Sequence, residues 1–194
     1  MAIDSYMYFK DYAGNYLMAE SQVVLGDLTH SLQEAKDTIG KAPAGSLFEV
    51  SDYSFDIEQT LNIGSQSSGA GAGKVVFNPF SVTRNIDKSS PKFFQSACSG
   101  TPFKEVCLGL RKSAGGDVSG IFFVLFRFML AAVKTVNWAH GDESPTETVT
   151  FEYGGLQVYY GQQKPNGTLF PTVPGGWDRT KNVAKFAIAD DISA

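Results

Sequence analysis

Few residues in this 194-residue chain have the type and spacing to do chemistry. Asp56 and Glu58 sit two apart in Asp52-Tyr53-Ser54-Phe55-Asp56-Ile57-Glu58. In a strand they share one face, about 7 Å apart. An inverting glycosidase spaces its acid and base in that range. Asp52 and Ser54 fall on the same face, and a face polar at every position reads better as solvated. Gly69-Ala70-Gly71-Ala72-Gly73-Lys74 carries the glycines of a phosphate loop. It fails as a P-loop, because Ser68 stands where a Gly is needed and Val75 where Ser or Thr must follow Lys74. It fails as a dinucleotide fingerprint as well, since Lys74 holds the third Gly position and no helix pattern follows. His30 and His140 are isolated, and a metal site needs three or four ligands. Cys98 follows Ala97 on the apolar face of a helix and reads as a buried structural thiol. No Gly-x-Ser-x-Gly elbow is present. The expectation is a protein with no catalytic activity, no metal, no cofactor and no small-molecule substrate.

The elements that must position these residues are mostly strands. The 52–58 segment alternates, with Tyr53, Phe55 and Ile57 apolar between the polar set. Val106, Leu108 and Leu110 alternate next, and Thr148-Val149-Thr150-Phe151-Glu152-Tyr153 does so again. Gly154-Gly155 interrupts that pattern and reads as a bulge or sharp bend that curves a sheet. Ile121-Phe122-Phe123-Val124-Leu125-Phe126 is apolar throughout, so it predicts a strand covered on both faces, inside the monomer or across a subunit contact. Lys164-Pro165-Asn166-Gly167-Thr168 predicts a turn. Ser90 (N-cap), Pro91 and Gly100 delimit a helix over 90–99, with Phe93, Phe94, Ala97 and Cys98 on its packed face. A second helix is predicted over 31–39, with Ser31 and Glu34 at capping-box spacing. Ile63–Gly73 reads as a long exposed loop.

Composition narrows the class. The chain has 15 Phe, 8 Tyr and 2 Trp but only 19% charged residues, which excludes disorder and a coiled coil. A net charge of −4 with no basic run gives no footprint for nucleic acid. The apolar run 121–133 is too short to span a membrane, which takes about 20 residues. Met1-Ala2-Ile3-Asp4-Ser5 lacks the pattern of a Sec signal peptide, so the expected site of synthesis is the cytoplasm. Two cysteines build no disulfide framework, and one bond between Cys98 and Cys107 stays open.

An ordered series of segments then resembles one family. It runs Gly69-Ala70-Gly71-Ala72-Gly73-Lys74-Val75, Arg84-Asn85-Ile86-Asp87-Lys88-Ser89-Ser90-Pro91, Ala97-Cys98-Ser99-Gly100 and Leu110-Arg111-Lys112-Ser113-Ala114-Gly115. Pro145-Thr146-Glu147-Thr148-Val149-Thr150-Phe151, Gln162-Gln163-Lys164-Pro165-Asn166-Gly167 and Gly176-Trp177 complete it. The series is similar to the haemolysin-coregulated protein (Hcp) family, tube subunits of bacterial type VI secretion systems. The match covers about Phe48 to Asn182. Met1–Phe9 looks like the family's first strand, and Ala19-Glu20-Ser21 resembles its usual Gly-Glu-Ser. About 24–46 is an inserted segment with its short helix, and about 186–194 is an added C-terminal tail on a single domain spanning 1–194.

The resemblance implies a mainly β fold, a compact barrel of two antiparallel sheets with one flanking α-helix. It implies a homohexameric ring that stacks into a tube, is expelled from the cell by the secretion system, and carries effectors. The implied partners are further copies of the chain and the system's spike, sheath and effector proteins, with no membrane insertion. The wet face of Asp52, Ser54, Asp56 and Glu58 is the candidate channel lining. The loop residues Gly64, Ser65, Gln66, Gly69, Gly71, Gly73 and Lys74 are candidates for contacts between subunits or rings, and the Ile121–Phe126 strand for a position near a subunit interface. Three alternatives stay open on the residues alone: a monomeric β-sandwich binding module, for example for carbohydrate; a phage tail-tube-like protein; and a hydrolase using Asp56 and Glu58.

Overall fold

A computed structural model describes residues 3–62, 71–112, 120–141 and 144–184. Eleven strands and two short helices follow one another as β1 (Ile3–Lys10), α1 (Gln33–Asp37), β2 (Phe48–Glu49), β3 (Asp52–Ser54), β4 (Ile57–Asn62), β5 (Gly71–Phe77), β6 (Phe80–Asn85), α2 (Ser90–Ser99), β7 (Phe103–Lys112), β8 (Ile121–Ala139), β9 (Thr146–Tyr160), β10 (Val173–Asp178) and β11 (Val183–Ala184). The class is mainly β, with α2 flanking the sheet. Nine strands form one antiparallel sheet in the order β11-β10-β9-β8-β7-β1-β2. The first half of β9 also pairs with β6, and β6 pairs with β3. β4 and β5 form a separate two-stranded hairpin.

The expected barrel is not closed. Residues 48–54 pass from β1 to β6 instead of pairing with both along a common length. Val50 N–H donates to Ser5 O (3.1 Å) on one side, and Ser51 N–H to Thr83 O (3.0 Å) on the other. Strands of two and three residues are too short to complete a ladder on both edges. The expected bulge at Gly154-Gly155 is likewise absent, since β9 keeps register with β8 through that pair. The register shifts fall at Leu110/Arg111 and at Val133/Thr135. Opposite the glycines, Leu130 adopts φ 52°, and its side chain occupies the space that a Cβ on Gly154 would need.

One core lies under α2. Phe9 is central, with ring centroids of Phe48, Phe93, Phe103 and Phe151 at 5.1, 4.9, 5.2 and 5.4 Å. Helix α2 covers 90–99 as expected, and Gly100 ends it at φ 68°, a left-handed cap. Its N-cap is Ser89, one residue earlier than expected. Its packed face holds Phe93, Ser96 and part of Ala97. Phe94 and Cys98 are exposed, contrary to expectation, because the helix turns the Ser90–Phe93–Ser96 side to the sheet. Cys98 is therefore a surface thiol, and the Cys98–Cys107 bond left open is not formed.

The inserted segment makes a second core on the opposite face. Leu32, Ala35 and Ile39 pack on Tyr8, Phe122, Leu125 and Tyr159. The bulge between Leu110 and Arg111 sets Phe122 out of alternation, so Phe122 and Leu125 share this face while Phe123 joins the first core. The doubly apolar strand thus finds its second cover inside the monomer, one of the two places the sequence left open. Burying each of Leu32 and Ile39 contributes about 1.5–3 kcal/mol. Helix α1 is shorter than the expected 31–39, and Ser31 caps nothing. Ser31 Oγ instead accepts from Phe122 N–H (3.1 Å), and Leu32 N–H donates to Phe122 O (3.1 Å), which ties the insert to β8.

Candidate functional site

The polar residues of 52–58 do not share one strand. Asp52 and Ser54 lie in β3 of the main sheet, Asp56 in the break after it, and Glu58 in β4 of the hairpin. All four are exposed, so the wet surface expected from the alternation exists, but it crosses from sheet to hairpin. Tyr53 and Phe55 turn inward onto Phe126, with centroids at 6.3 and 5.1 Å, whereas Ile57 stays exposed. Asn78 Nδ2 donates to Asp56 Oδ2 (2.6 Å) and Glu58 Oε1 (3.2 Å). The two carboxylates are thus bridged by one amide at the surface, and they engage a neighbour as well as solvent.

Of the loop candidates, Gly64, Ser65, Gln66 and Gly69 lie outside the described residues. Gly71, Gly73 and Lys74 belong to β5, where Asn62 pairs with Gly71 and Leu61 with Ala72. Of the loop expected over Ile63–Gly73, residues 71–73 are therefore strand instead, claimed by the hairpin ladder, and 63–70 lie outside the described residues. His140 and His30 are exposed. Lys164–Thr168 turns as expected, with Gly167 at φ 87° and Lys164 N–H donating to Thr168 O (2.7 Å).

The hairpin is pinned to β9 by Arg179. Its guanidinium lies 5.2 Å from the Phe77 ring centroid and 5.0 Å from that of Tyr153. Arg179 also donates to Tyr153 O (2.5 Å) and pairs with Glu152 at 3.6 Å. Burial raises the Tyr153 phenol to about 12 against the lowering field of Arg179. Beside this clamp, an apolar groove of about 950 Å³ opens between the hairpin and the β9–β10 surface. Ile57, Val75, Phe77, Leu156, Val158 and Trp177 are among its walls.

A buried polar network fixes the start of α2. Arg84 Nε donates to Glu147 Oε1 (3.0 Å), and Arg84 Nη2 donates to Asp87 Oδ1 (2.8 Å), Ser89 Oγ (2.8 Å) and Ser90 Oγ (3.1 Å). Its guanidinium lies over the Phe48 and Phe93 rings at 4.8 and 5.2 Å. Trp138 Nε1–H completes the set by donating to Glu147 Oε2 (2.8 Å). Burial disfavours the charge on Asp87, but hydrogen bonds from Arg84 and Ser89 outweigh it and hold the carboxyl at about 2. Sequence reasoning quoted Arg84-Asn85-Ile86-Asp87-Lys88-Ser89-Ser90 and Glu147 only as a pattern. The available signal was an arginine in step with the apolar Phe80 and Val82, and a glutamate in step with Val149, Phe151 and Tyr153, so that each falls on an inward face where a buried charge needs a partner.

A second network lies beneath the insert. The Tyr8 hydroxyl donates to Glu105, which also pairs with Arg127, and Arg127 donates to Gln157 Oε1 (3.2 Å). Burial, reinforced by Glu105, pushes the neighbouring Cys107 thiol up to about 12. No group of three or more potential metal ligands occurs among the described residues, and no helix there is long and apolar enough to cross a membrane.

Comparison with known proteins places this geometry. Residues 41–160 match the family model described as "Type VI secretion system effector, Hcp". Protein hcp1 of Pseudomonas aeruginosa is 31% identical over 111 residues, 57% of this chain and 68% of that protein. A solved type six secretion system protein superposes with a TM-score of 0.73 at 23% identity, covering 95% of this chain and 100% of that one. Hcp1 from Salmonella typhimurium superposes at 0.64 with 19% identity, covering 95% of this chain and 100% of its own. The matched region holds the Arg84–Glu147 network, α2 and the strands around them, and on that match the chain belongs to the Hcp family of type VI secretion system proteins.

Proposed function

We propose that this chain is a structural subunit of the inner tube of a type VI secretion system. The whole chain acts as one domain. Six copies close into a ring through a heterologous interface, and rings stack into a tube. The subunit is made in the cytoplasm and leaves the cell through the secretion system, with effectors carried in the channel. Its partners are its own copies and the system's spike, sheath and effector proteins. It turns over no substrate.

The observation that carries this reading is the family match across 41–160, which spans the α2 network and most of the sheet. In this reading the exposed Asp52, Ser54, Asp56 and Glu58 line the channel, where clustered carboxylates disfavour acidic cargo. Residues 64–74 reach a neighbouring subunit or ring. Light scattering coupled to size exclusion tests the assembly: a mass near six subunits supports it, and a clean monomer at micromolar concentration refutes it. Deleting residues 67–72 is expected to weaken ring stacking more than subunit folding.

A further inference from the structure

The turn over Lys164–Thr168 holds a pair of residues that occurs once in the chain. Of seven asparagines, six precede Tyr16, Ile63, Pro79, Ile86, Trp138 and Val183, and only Asn166 precedes a glycine. An asparagine side-chain amide is an electrophile, and the backbone nitrogen of the next residue closes a ring when it attacks Cγ. A side chain on that next residue crowds the closure, and proline has no N–H to lose. Gly167 has neither obstacle.

The fold places this pair at the tip of a small antiparallel loop. Phe170 N–H donates to Gln162 O (2.8 Å), Gln163 bridges to Leu169, and Lys164 N–H donates to Thr168 O (2.7 Å). Below the tip, Leu169 packs against both cores, and Thr172 Oγ1 donates to Glu34 Oε2 (3.1 Å) of the inserted segment. These contacts anchor the loop. Asn166 is exposed at its tip, where water and base reach it. Gly167 sits at φ 87°, which glycine adopts without strain.

The Asn166 amide is polarised in one direction. Its Oδ1 accepts from Thr168 N–H (3.2 Å) and from Thr168 Oγ1 (2.8 Å). When the Gly167 nitrogen adds to Cγ, negative charge develops on that oxygen. The Thr168 donors already point at it and stabilise the tetrahedral intermediate, as an oxyanion hole does. The Gly167 N–H is held by Lys164 O (3.0 Å) and must lose its proton to attack, so closure accelerates as pH rises.

We propose that Asn166 is a site of spontaneous deamidation through a succinimide formed with Gly167. The bond from Gly167 N to Asn166 Cγ forms, and the Gly167 proton goes to solvent. The Cγ–Nδ2 bond breaks, and Nδ2 leaves as ammonia, taking up a proton in place of the one Gly167 gave up. Water then adds to either ring carbonyl. One opening gives aspartate. The other gives isoaspartate, in which the main chain runs through the former side chain and is longer by a methylene. Either product adds a negative charge to a chain of net charge −4.

Incubation of the full chain at mildly alkaline and mildly acidic pH tests this. Peptide mapping by mass spectrometry and an isoaspartyl methyltransferase assay on the digest read the products. A free peptide of residues 162–170 is the reference. The expected result is aspartate and isoaspartate at 166, more of both at alkaline pH, with Asn15, Asn85 and Asn137 intact. Thr168→Val keeps the branched shape but removes the hydroxyl donor, and should slow conversion about two- to tenfold. Asn166 that stays intact while the free peptide converts overturns the proposal. So does aspartate without isoaspartate, which marks direct hydrolysis, and so does a Thr168→Val chain that converts as fast as the parent.

Discussion

Gly109 and Ile39 fit together only because Gly109 has no side chain: a Cβ there would stand 2.3 Å from Ile39 Cδ1 and 2.9 Å from Phe122 Cδ1. This contact seats the inserted segment on β7. Gly109→Ala is therefore expected to overpack the second core and destabilise the chain by about 1–3 kcal/mol. Ile39→Ala removes the obstruction but leaves a cavity, at about 2–5 kcal/mol. The double variant should lose less than the sum of the two, because the residues are in contact. Urea unfolding of the four proteins measures this, and strict additivity would show that the two residues do not press on each other.

Glu147 is fully buried and paired with Arg84, so removing its charge leaves an arginine buried without its main partner. Glu147→Ala is expected to cost about 3–5 kcal/mol. The loss should appear as faster exchange in α2, since Ser90 Oγ, at the first turn, also donates to Glu147 (3.1 Å). A cost below about 1 kcal/mol would contradict the network's role in holding α2.

Asp87 carries a pH signature. Its folded value of about 2 lies below the ordinary carboxylate range, so its stabilisation is complete above that range and is lost as pH falls toward 2. Asp87→Asn should cost about 2 kcal/mol at neutral pH. The gap to the parent protein should narrow below about pH 4. Denaturation at stepped pH measures the gap, and a gap independent of pH would contradict the assignment.

The two thiols should respond differently. Cys98 is exposed on α2, whereas Cys107 is buried in the second core with its thiol held near 12. A thiol reagent should label one cysteine per native chain, identified as Cys98 by peptide mapping, and both in denaturant. Labelling of Cys107 in the native protein would show that the inserted segment opens readily.

Much of this fold was legible from period-two alternation, because burial on one face of a strand dictates it. Val149, Phe151 and Tyr153 are buried as expected, and Pro91 and Gly100 fall inside the start and just past the end of α2. The misreadings came where tertiary packing overrode a local signal. Ser31 has capping-box spacing to Glu34, yet its hydroxyl serves Phe122. Phe94 and Cys98 look packed by spacing, but the helix rolls toward Phe93 and Ser96, leaving Phe94 6.0 Å from Trp138 at the surface. The 52–58 segment alternates like one strand, yet the chain changes sheet at Phe55-Asp56, and no residue pattern marks that change. The all-apolar run 121–126 announced two covered faces without saying by what. Only the fold shows that Leu32, Ala35 and Ile39 cover the second.

Electron microscopy of the purified full-length chain tests the tube-subunit reading most directly. It predicts rings with six-fold symmetry and an open centre, alone or stacked. A field of discrete monomer-sized particles, at concentrations where light scattering also finds a monomer, would contradict it.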